Sequence, residues 1–198
     1  MNDDLINFTQ EVKNFKPTGT QKARLENVVS GLNKFLDECN TVVFLCTHNS
    51  RRSQYCEIWS KYFSSTYKNK INFFSAGVVK TKVHKQIYNS LERVGIGVNK
   101  NLSINTETIS ISPFSKTLSE IEEKKFISIM TCSDSEKTCP VDTRSLINLK
   151  LFYEDPKVYD NTTQEDEEYD KTSFMIACEI NYIPVSYTHL TLPTILLV

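Results

Sequence analysis

The chain is short of the features that would make its class obvious. Of its 198 residues, 23 are Lys or Arg and 24 are Asp or Glu, a net charge of -1. Near-neutrality of this kind argues against non-specific binding to nucleic acid or to an anionic membrane surface. No apolar run reaches the length of a membrane span. Met1 is followed by Asn2-Asp3-Asp4 instead of a basic segment and an apolar core, so a cytoplasmic location is expected. No internal repeat is apparent. The three histidines, His48, His84 and His189, show no metal-ligand spacing, and no metal is expected.

Six cysteines are present: Cys39, Cys46, Cys56, Cys132, Cys139 and Cys178. The chain is long for a disulfide-stapled mini-protein, and a reducing compartment turns attention to thiol chemistry and packing. Cys39, Cys56 and Cys178 fall on helical patterns and read as packing residues. The length suits one core with 39% hydrophobic and 24% charged residues.

Along the chain, residues 1–40 read as a helical arm. A short helix around Leu5–Val12 precedes the turn Lys16-Pro17-Thr18-Gly19. A second helix spans 21–39, with Leu25, Val28, Val29, Leu32, Phe35 and Leu36 on one face and Gly31 as its weak point. Residues 41–184 alternate strands with helices. The predicted strands are Thr41–Leu45, Ile71–Phe74, Phe126–Thr131 and one within Leu146–Tyr153. The predicted helices carry Cys56, Trp59, Tyr62 or Phe63 and Tyr67, then Val83, Ile87, Leu91 and Val94, then Glu167–Ile183. Thr106–Ser112 reads only as a short strand in a segment, 98–125, with little pattern. Alternation of this kind predicts an α/β fold of three layers, α/β/α, with a central four-stranded parallel sheet and the N-terminal arm added to it. In such folds ligands bind beyond the carboxyl ends of the strands, where Cys46, Cys132 and Asp155 would all lie.

The stretch Thr41-Val42-Val43-Phe44-Leu45-Cys46-Thr47-His48-Asn49-Ser50-Arg51-Arg52-Ser53 is the chemical centre. A buried strand ends in a cysteine, and a tight loop leads into a helix. Backbone N–H groups at such a junction form a nest for a tetrahedral oxyanion and favour a thiolate. This Cys-x5-Arg-Ser loop, with Glu154-Asp155-Pro156 downstream, resembles the low-molecular-weight protein tyrosine phosphatase superfamily, which includes the thioredoxin-coupled arsenate reductases. The resemblance covers roughly residues 41–183. It implies Cys46 as the nucleophile, Arg52 as a bidentate grip on the oxyanion and Asp155 as the general acid; a solvated turn aspartate is the plain alternative for Asp155. Ser53 resembles the serine that hydrogen-bonds the thiolate, and a helix N-cap role is compatible with that. Asn49 resembles the residue that fixes the loop's path, or serves a local turn. Thr47, His48, Ser50 and Arg51 complete the anion-binding loop, with His48 turned to solvent and Arg51 adding positive charge beside the pocket.

A second segment, Met130-Thr131-Cys132-Ser133-Asp134-Ser135-Glu136-Lys137-Thr138-Cys139-Pro140, resembles the redox segment of the three-cysteine arsenate reductases. The resemblance implies a relay from Cys46 to Cys132 to Cys139, with thioredoxin or another thiol reductant as partner and arsenate as substrate. The plain alternative is a pair of loop thiols. A phosphatase acting on phosphomonoesters, including a phosphotyrosine protein, needs only Cys46, Arg52 and Asp155. Lys157-Val158-Tyr159 supplies one aromatic where tyrosine phosphatases of the family often have an adjacent pair. Glu57, Ser75 and Asn49 resemble a monovalent-cation site of some arsenate reductases. Residues 185–198, from Val185-Ser186-Tyr187-Thr188-His189, resemble translated sequencing-adapter sequence and read as a non-native tail that breaks the last helix near Pro184.

Overall fold

The computed structural model describes residues 2–67, 71–133 and 142–191. The arm consists of α1 (Asp3–Lys13) and α2 (Gly19–Phe35). Asn2 caps α1 by accepting from the Asp4 N–H at 3.1 Å. Leu5, Phe8 and Val12, at helical spacing, turn inward, and Phe8 stacks on Trp59 with ring centroids 4.9 Å apart. In α2 the Thr18 N–H donates to Gln21 Oε1 at 2.9 Å, a capping contact at the helix start. Gly31 is explained by close approach: a Cβ there would run into the methyls of Leu149. The helix ends at Phe35, earlier than its periodicity predicts.

The main sheet has β1 (Thr41–Cys46), β2 (Asn72–Gly77), β6 (Phe126–Met130) and β7 (Ser145–Lys150) in the order β2-β1-β6-β7, all parallel. The four-stranded parallel sheet and the three-layer α/β arrangement are as the alternation predicts. Strand β2 runs through the residues expected to form its exit, because the register holds to the end, Cys46 opposite Gly77. All of β1 is buried. Its alternate side chains feed two cores: Val42 and Phe44 join the large core beneath the helices, and Val43 and Leu45 join a smaller one with Ala76, Leu118, Ile121 and Phe126. Among the described residues, that second face is covered by the 3₁₀ turn Leu118–Glu120 and its flanks.

Helices α3 (Arg52–Tyr67), α4 (Lys85–Arg93) and α5 (Glu165–Thr191) pack with the arm over the first face. Trp59 and Tyr55 at its centre are fully buried, and Trp59 Nε1 donates to Ser173 Oγ at 3.1 Å. The segment with little pattern holds a small antiparallel sheet, β3 (Gly97–Val98), β4 (Ile104–Asn105) and β5 (Ser110–Ile111). Two-residue strands carry no readable period. The backbone of α5 continues through Pro184 to Thr191, so the expected break at Pro184 is not present. No helix among the described residues is long and apolar enough to cross a membrane.

Candidate active site

Strand β1 delivers Cys46 to the carboxyl edge of the sheet, and the chain turns at once into α3. The turn is held by its carbonyls. Thr47 O accepts from the Val79 N–H at 2.9 Å, and His48 O from Thr81 Oγ1 at 2.8 Å and Ser115 Oγ at 3.2 Å. Asn49 O accepts from Gln54 Nε2 at 3.1 Å, and Ser50 O from the His84 N–H at 3.1 Å. Because a peptide's carbonyl and N–H point in opposite directions, turning four carbonyls outward aims the following N–H groups inward, as in an anion nest. The Asn49 N–H does this directly, meeting Cys46 Sγ at 3.1 Å.

Asn49 has φ 47°, a left-handed conformation that Asn tolerates better than most residues. Its fully buried side chain ties the loop together. Nδ2 donates to Ser53 Oγ at 2.9 Å, while Oδ1 accepts from Gln54 Nε2 at 3.0 Å and from the Lys116 N–H at 2.9 Å. Ser53 Oγ lies 3.0 Å from Cys46 Sγ. Ser53 sits inside the first turn of α3, so its hydroxyl serves the sulfur and Asn49, not an N-cap. Gly77 permits this packing: a Cβ there would lie 2.9 Å from Asn49 N and 3.0 Å from Thr47 O. The His48 side chain is exposed, as expected.

The two arginines diverge. Arg52 reaches the turn after β7, donating from Nη1 to Tyr153 O at 2.9 Å and from Nη2 to Asp155 Oδ2 at 2.5 Å. Asp155 caps the 3₁₀ turn Pro156–Tyr159 by accepting from the Lys157 N–H at 3.1 Å. Arg51 has its side chain bonded to the turn that follows Asp155. It donates from Nε to the Tyr169 hydroxyl and from Nη2 to Asp160 Oδ2 at 2.5 Å, and Tyr169 donates to Asp160 Oδ1 at 2.7 Å. Burial works against the Arg51 charge, but the Tyr169 and Asp160 contacts override it and push the Arg51 pKa up. Consecutive loop arginines thus grip the two ends of the Asp155–Asp160 turn.

Cys132 follows β6 and is buried, with Sγ 3.7 Å from Thr47 Oγ1. The strand exits are stitched together here: the Thr131 N–H and hydroxyl donate to Leu45 O at 2.8 and 2.9 Å, and the Tyr153 N–H donates to Thr131 O at 3.1 Å. The structure therefore brings Cys46, Arg52, Ser53, Asp155 and Cys132 to one edge. Cys139 lies outside the described residues.

The cation position implied by Glu57, Ser75 and Asn49 is differently built. Glu57 Oε1 accepts from Lys61 Nζ at 2.6 Å, and Oε2 from Ser75 Oγ at 2.5 Å and Lys116 Nζ at 3.2 Å. Burial alone would raise the Glu57 pKa; the two lysines and Ser75 outweigh it and hold it below the ordinary value. A further cation would meet two ammonium groups on one carboxylate, so these residues do not fit a monovalent ion. A second group, His84, Asp160 and Glu165, has ligand atoms within 4.8 Å of one another, but Asp160 is already bonded to Arg51 and Tyr169. Sequence reasoning passed over Lys116, Gln54, Asp160 and Tyr169, which carry no motif.

No family model matches the chain. It is 28% identical over 121 residues to an arsenate reductase of Brevibacillus brevis, covering 61% of this chain and 80% of that protein. It is 29% identical over 118 residues to arsenate reductase 1 of Staphylococcus epidermidis, covering 59% and 77%. Among solved structures, it shares its fold with a low-molecular-weight phosphotyrosine phosphatase from Vibrio cholerae (TM-score 0.54, 17% identity, 77% of this chain and 99% of the other). An arsenate reductase from Archaeoglobus fulgidus superimposes with TM-score 0.50 at 17% identity, over 72% of this chain and 97% of the other. The chain thus has the fold of low-molecular-weight phosphotyrosine phosphatases and arsenate reductases, and over about three fifths of its length its sequence is similar to that of arsenate reductases.

Proposed function

We propose that the protein reduces arsenate to arsenite by a thiol relay through Cys46, Cys132 and Cys139. The observation that carries this reading is the buried Cys132, whose sulfur sits 3.7 Å from Thr47 Oγ1 of the anion loop. Phosphomonoester hydrolysis does not require a second thiol there. In the proposed sequence the Cys46 thiolate attacks arsenic held by the loop N–H groups and Arg52, and a hydroxide leaves as water after protonation. The Cys132 thiolate then attacks the Cys46 sulfur. The S–As electron pair passes to arsenic, which leaves as arsenite, and a Cys46–Cys132 disulfide forms. Cys139 attacks Cys132 in turn, freeing the Cys46 thiolate, and a dithiol reductant of the thioredoxin class reduces the Cys132–Cys139 disulfide. This chemistry fits a reducing cytoplasm.

The second reading is hydrolysis of phosphomonoesters through a Cys46 phosphocysteine. It is favoured by Asp155, which meets the Arg52 guanidinium at 2.5 Å beside the loop and would act as the general acid toward a leaving oxygen. One experiment separates the two. Thioredoxin-dependent arsenite formation and aryl phosphate hydrolysis are measured in wild type, Cys132→Ala and Cys139→Ala. The relay predicts that arsenite formation falls to background in both variants while hydrolysis persists. Arsenite turnover that survives Cys132→Ala sinks the relay.

A further inference from the structure

Arg24 of the N-terminal arm touches the turn after β7. Arg24 of α2 donates from Nη1 to Phe152 O at 2.5 Å and from Nη2 to Glu179 of α5. Its guanidinium lies 5.6 Å from the centroid of the Tyr153 ring. Neither the relay nor the hydrolytic reading uses Arg24, Glu179 or the Tyr153 side chain. All three surround the backbone that carries Asp155. Phe152 O is held by Arg24, and the next carbonyl, Tyr153 O, is held by Arg52 at 2.9 Å. Successive carbonyls of an extended chain point to opposite sides. The two arginines therefore grip opposite edges of one short run, and Asp155 follows two residues later.

We propose that Arg24 is a positioning residue for Arg52 and Asp155, so that the added arm sets the geometry of the site from outside it. The proposal deepens the functional reading above and rests on it. Arg24 fixes Phe152 against α5 by its contact with Glu179. That fixes the direction of Tyr153 O, which orients the Arg52 guanidinium, and it fixes the depth at which Asp155 meets the anion loop. A purely adhesive contact between arm and core needs only the ion pair. Here the second donor is spent on the backbone next to the carbonyl that holds Arg52.

The test uses the full reduced chain and two substrates, phenyl phosphate and 4-nitrophenyl phosphate. Phenolate is the poorer leaving group and depends more on a well-placed acid. Arg24→Met should lower kcat for phenyl phosphate by about tenfold relative to 4-nitrophenyl phosphate, because a displaced acid costs most where protonation matters. Arg24→Lys, with one charge but no fork, should fall between. Glu179→Gln keeps an acceptor for Arg24 and the contact with Phe152 O, and should leave the ratio within about twofold of wild type. A changed melting temperature with an unchanged ratio in Arg24→Met overturns the proposal; if that variant does not fold, an unchanged ratio in Arg24→Lys does the same. Cys46→Ser checks the reading itself, since all hydrolysis should vanish. If wild type hydrolyses neither ester, the readout is protection of Cys46 from iodoacetamide by inorganic phosphate, located by peptide mapping. Arg24→Met should then need about fivefold more phosphate, through a misdirected Arg52; equal protection overturns the proposal.

Discussion

Two buried carboxylates stand behind this site, and they are satisfied differently. Glu57 backs the anion loop and receives two ammonium groups and a hydroxyl. Glu179 backs the turn that carries Asp155 and receives one guanidinium; its Oε2 and the nearby Tyr153 hydroxyl are buried without a well-formed hydrogen bond. Their pKa values move apart accordingly. Burial would raise Glu57, and its lysines bring it below the ordinary value. Burial raises Glu179, and Arg24 pulls against that without reversing it. The contrast separates a loop that must not move from a turn that is only tethered. On the proposed function, Arg52 would exchange the Asp155 carboxylate for an incoming oxyanion, which requires the turn to yield while the loop keeps its shape.

The sharpest way to break this contrast is Lys116→Met. Lys116 reaches the site twice: its backbone N–H donates to Asn49 Oδ1 and its ammonium to Glu57. Only the second contact is lost. Removing one partner of a buried ion pair costs about 3–5 kcal/mol, and the remaining Lys61 and Ser75 contacts hold the loss toward the lower end. Urea unfolding of the reduced protein measures it. A loss no larger than that of an exposed lysine would mean that the Glu57 cluster does not buttress the loop.

Most of the loop and little of its support were legible in the sequence. Cys46 to Ser53 is contiguous, and a β-branched run before it with a helical pattern after it points to its place at the end of a strand in a parallel sheet. The supporting contacts join residues far apart. Lys116 and Glu57 are 59 positions apart, and Arg24 and Glu179 are 155. Neither pair has a spacing to recognise. Glu57 was picked out only through the resemblance, as part of a cation position, and its burial was not legible. Every residue from Ser53 to Ser60 is buried, so α3 has no polar stripe in that stretch to set a surface glutamate apart from an internal one. The partners of Arg51 were not legible, because Asp160 and Tyr169 lie 109 and 118 residues away.

The pH dependence of stability sharpens the same contrast through its sign. A carboxylate whose folded pKa is depressed contributes stability that is present above the unfolded value and lost as pH falls through the folded one. Glu57 therefore adds an acid-side loss below its ordinary value of 4.5. A carboxylate whose folded pKa is raised behaves in the opposite way. The contribution of Glu179 is whole below 4.5 and is lost as pH rises through its folded value. Stability measured against pH should lose part of its acid limb in Glu57→Gln. In Glu179→Gln it should instead lose part of a decline on the less acidic side. Parallel changes in the two variants would show that the carboxylates are not in opposite electrostatic states.

The smallest expected effect is on stability at neutral pH in Glu179→Gln. The carboxylate is buried, and one of its oxygens faces the Tyr153 hydroxyl without a well-formed hydrogen bond, so its removal relieves a desolvation cost, while the amide oxygen still accepts from Arg24. Arg24 is one-third exposed and keeps its bond to Phe152 O, so its charge is not stranded. These terms oppose each other, and the net change should lie within about 1 kcal/mol of wild type, with either sign allowed. Lys116→Met and Glu179→Gln each remove one charge from a buried cluster, yet only the first leaves a buried carboxylate short of a counter-ion. A loss of about 3 kcal/mol in Glu179→Gln would put the two clusters in one class. The turn that carries Asp155 would then be anchored as firmly as the loop it serves, and the yielding that oxyanion exchange requires would have to come from the Arg52 side chain alone.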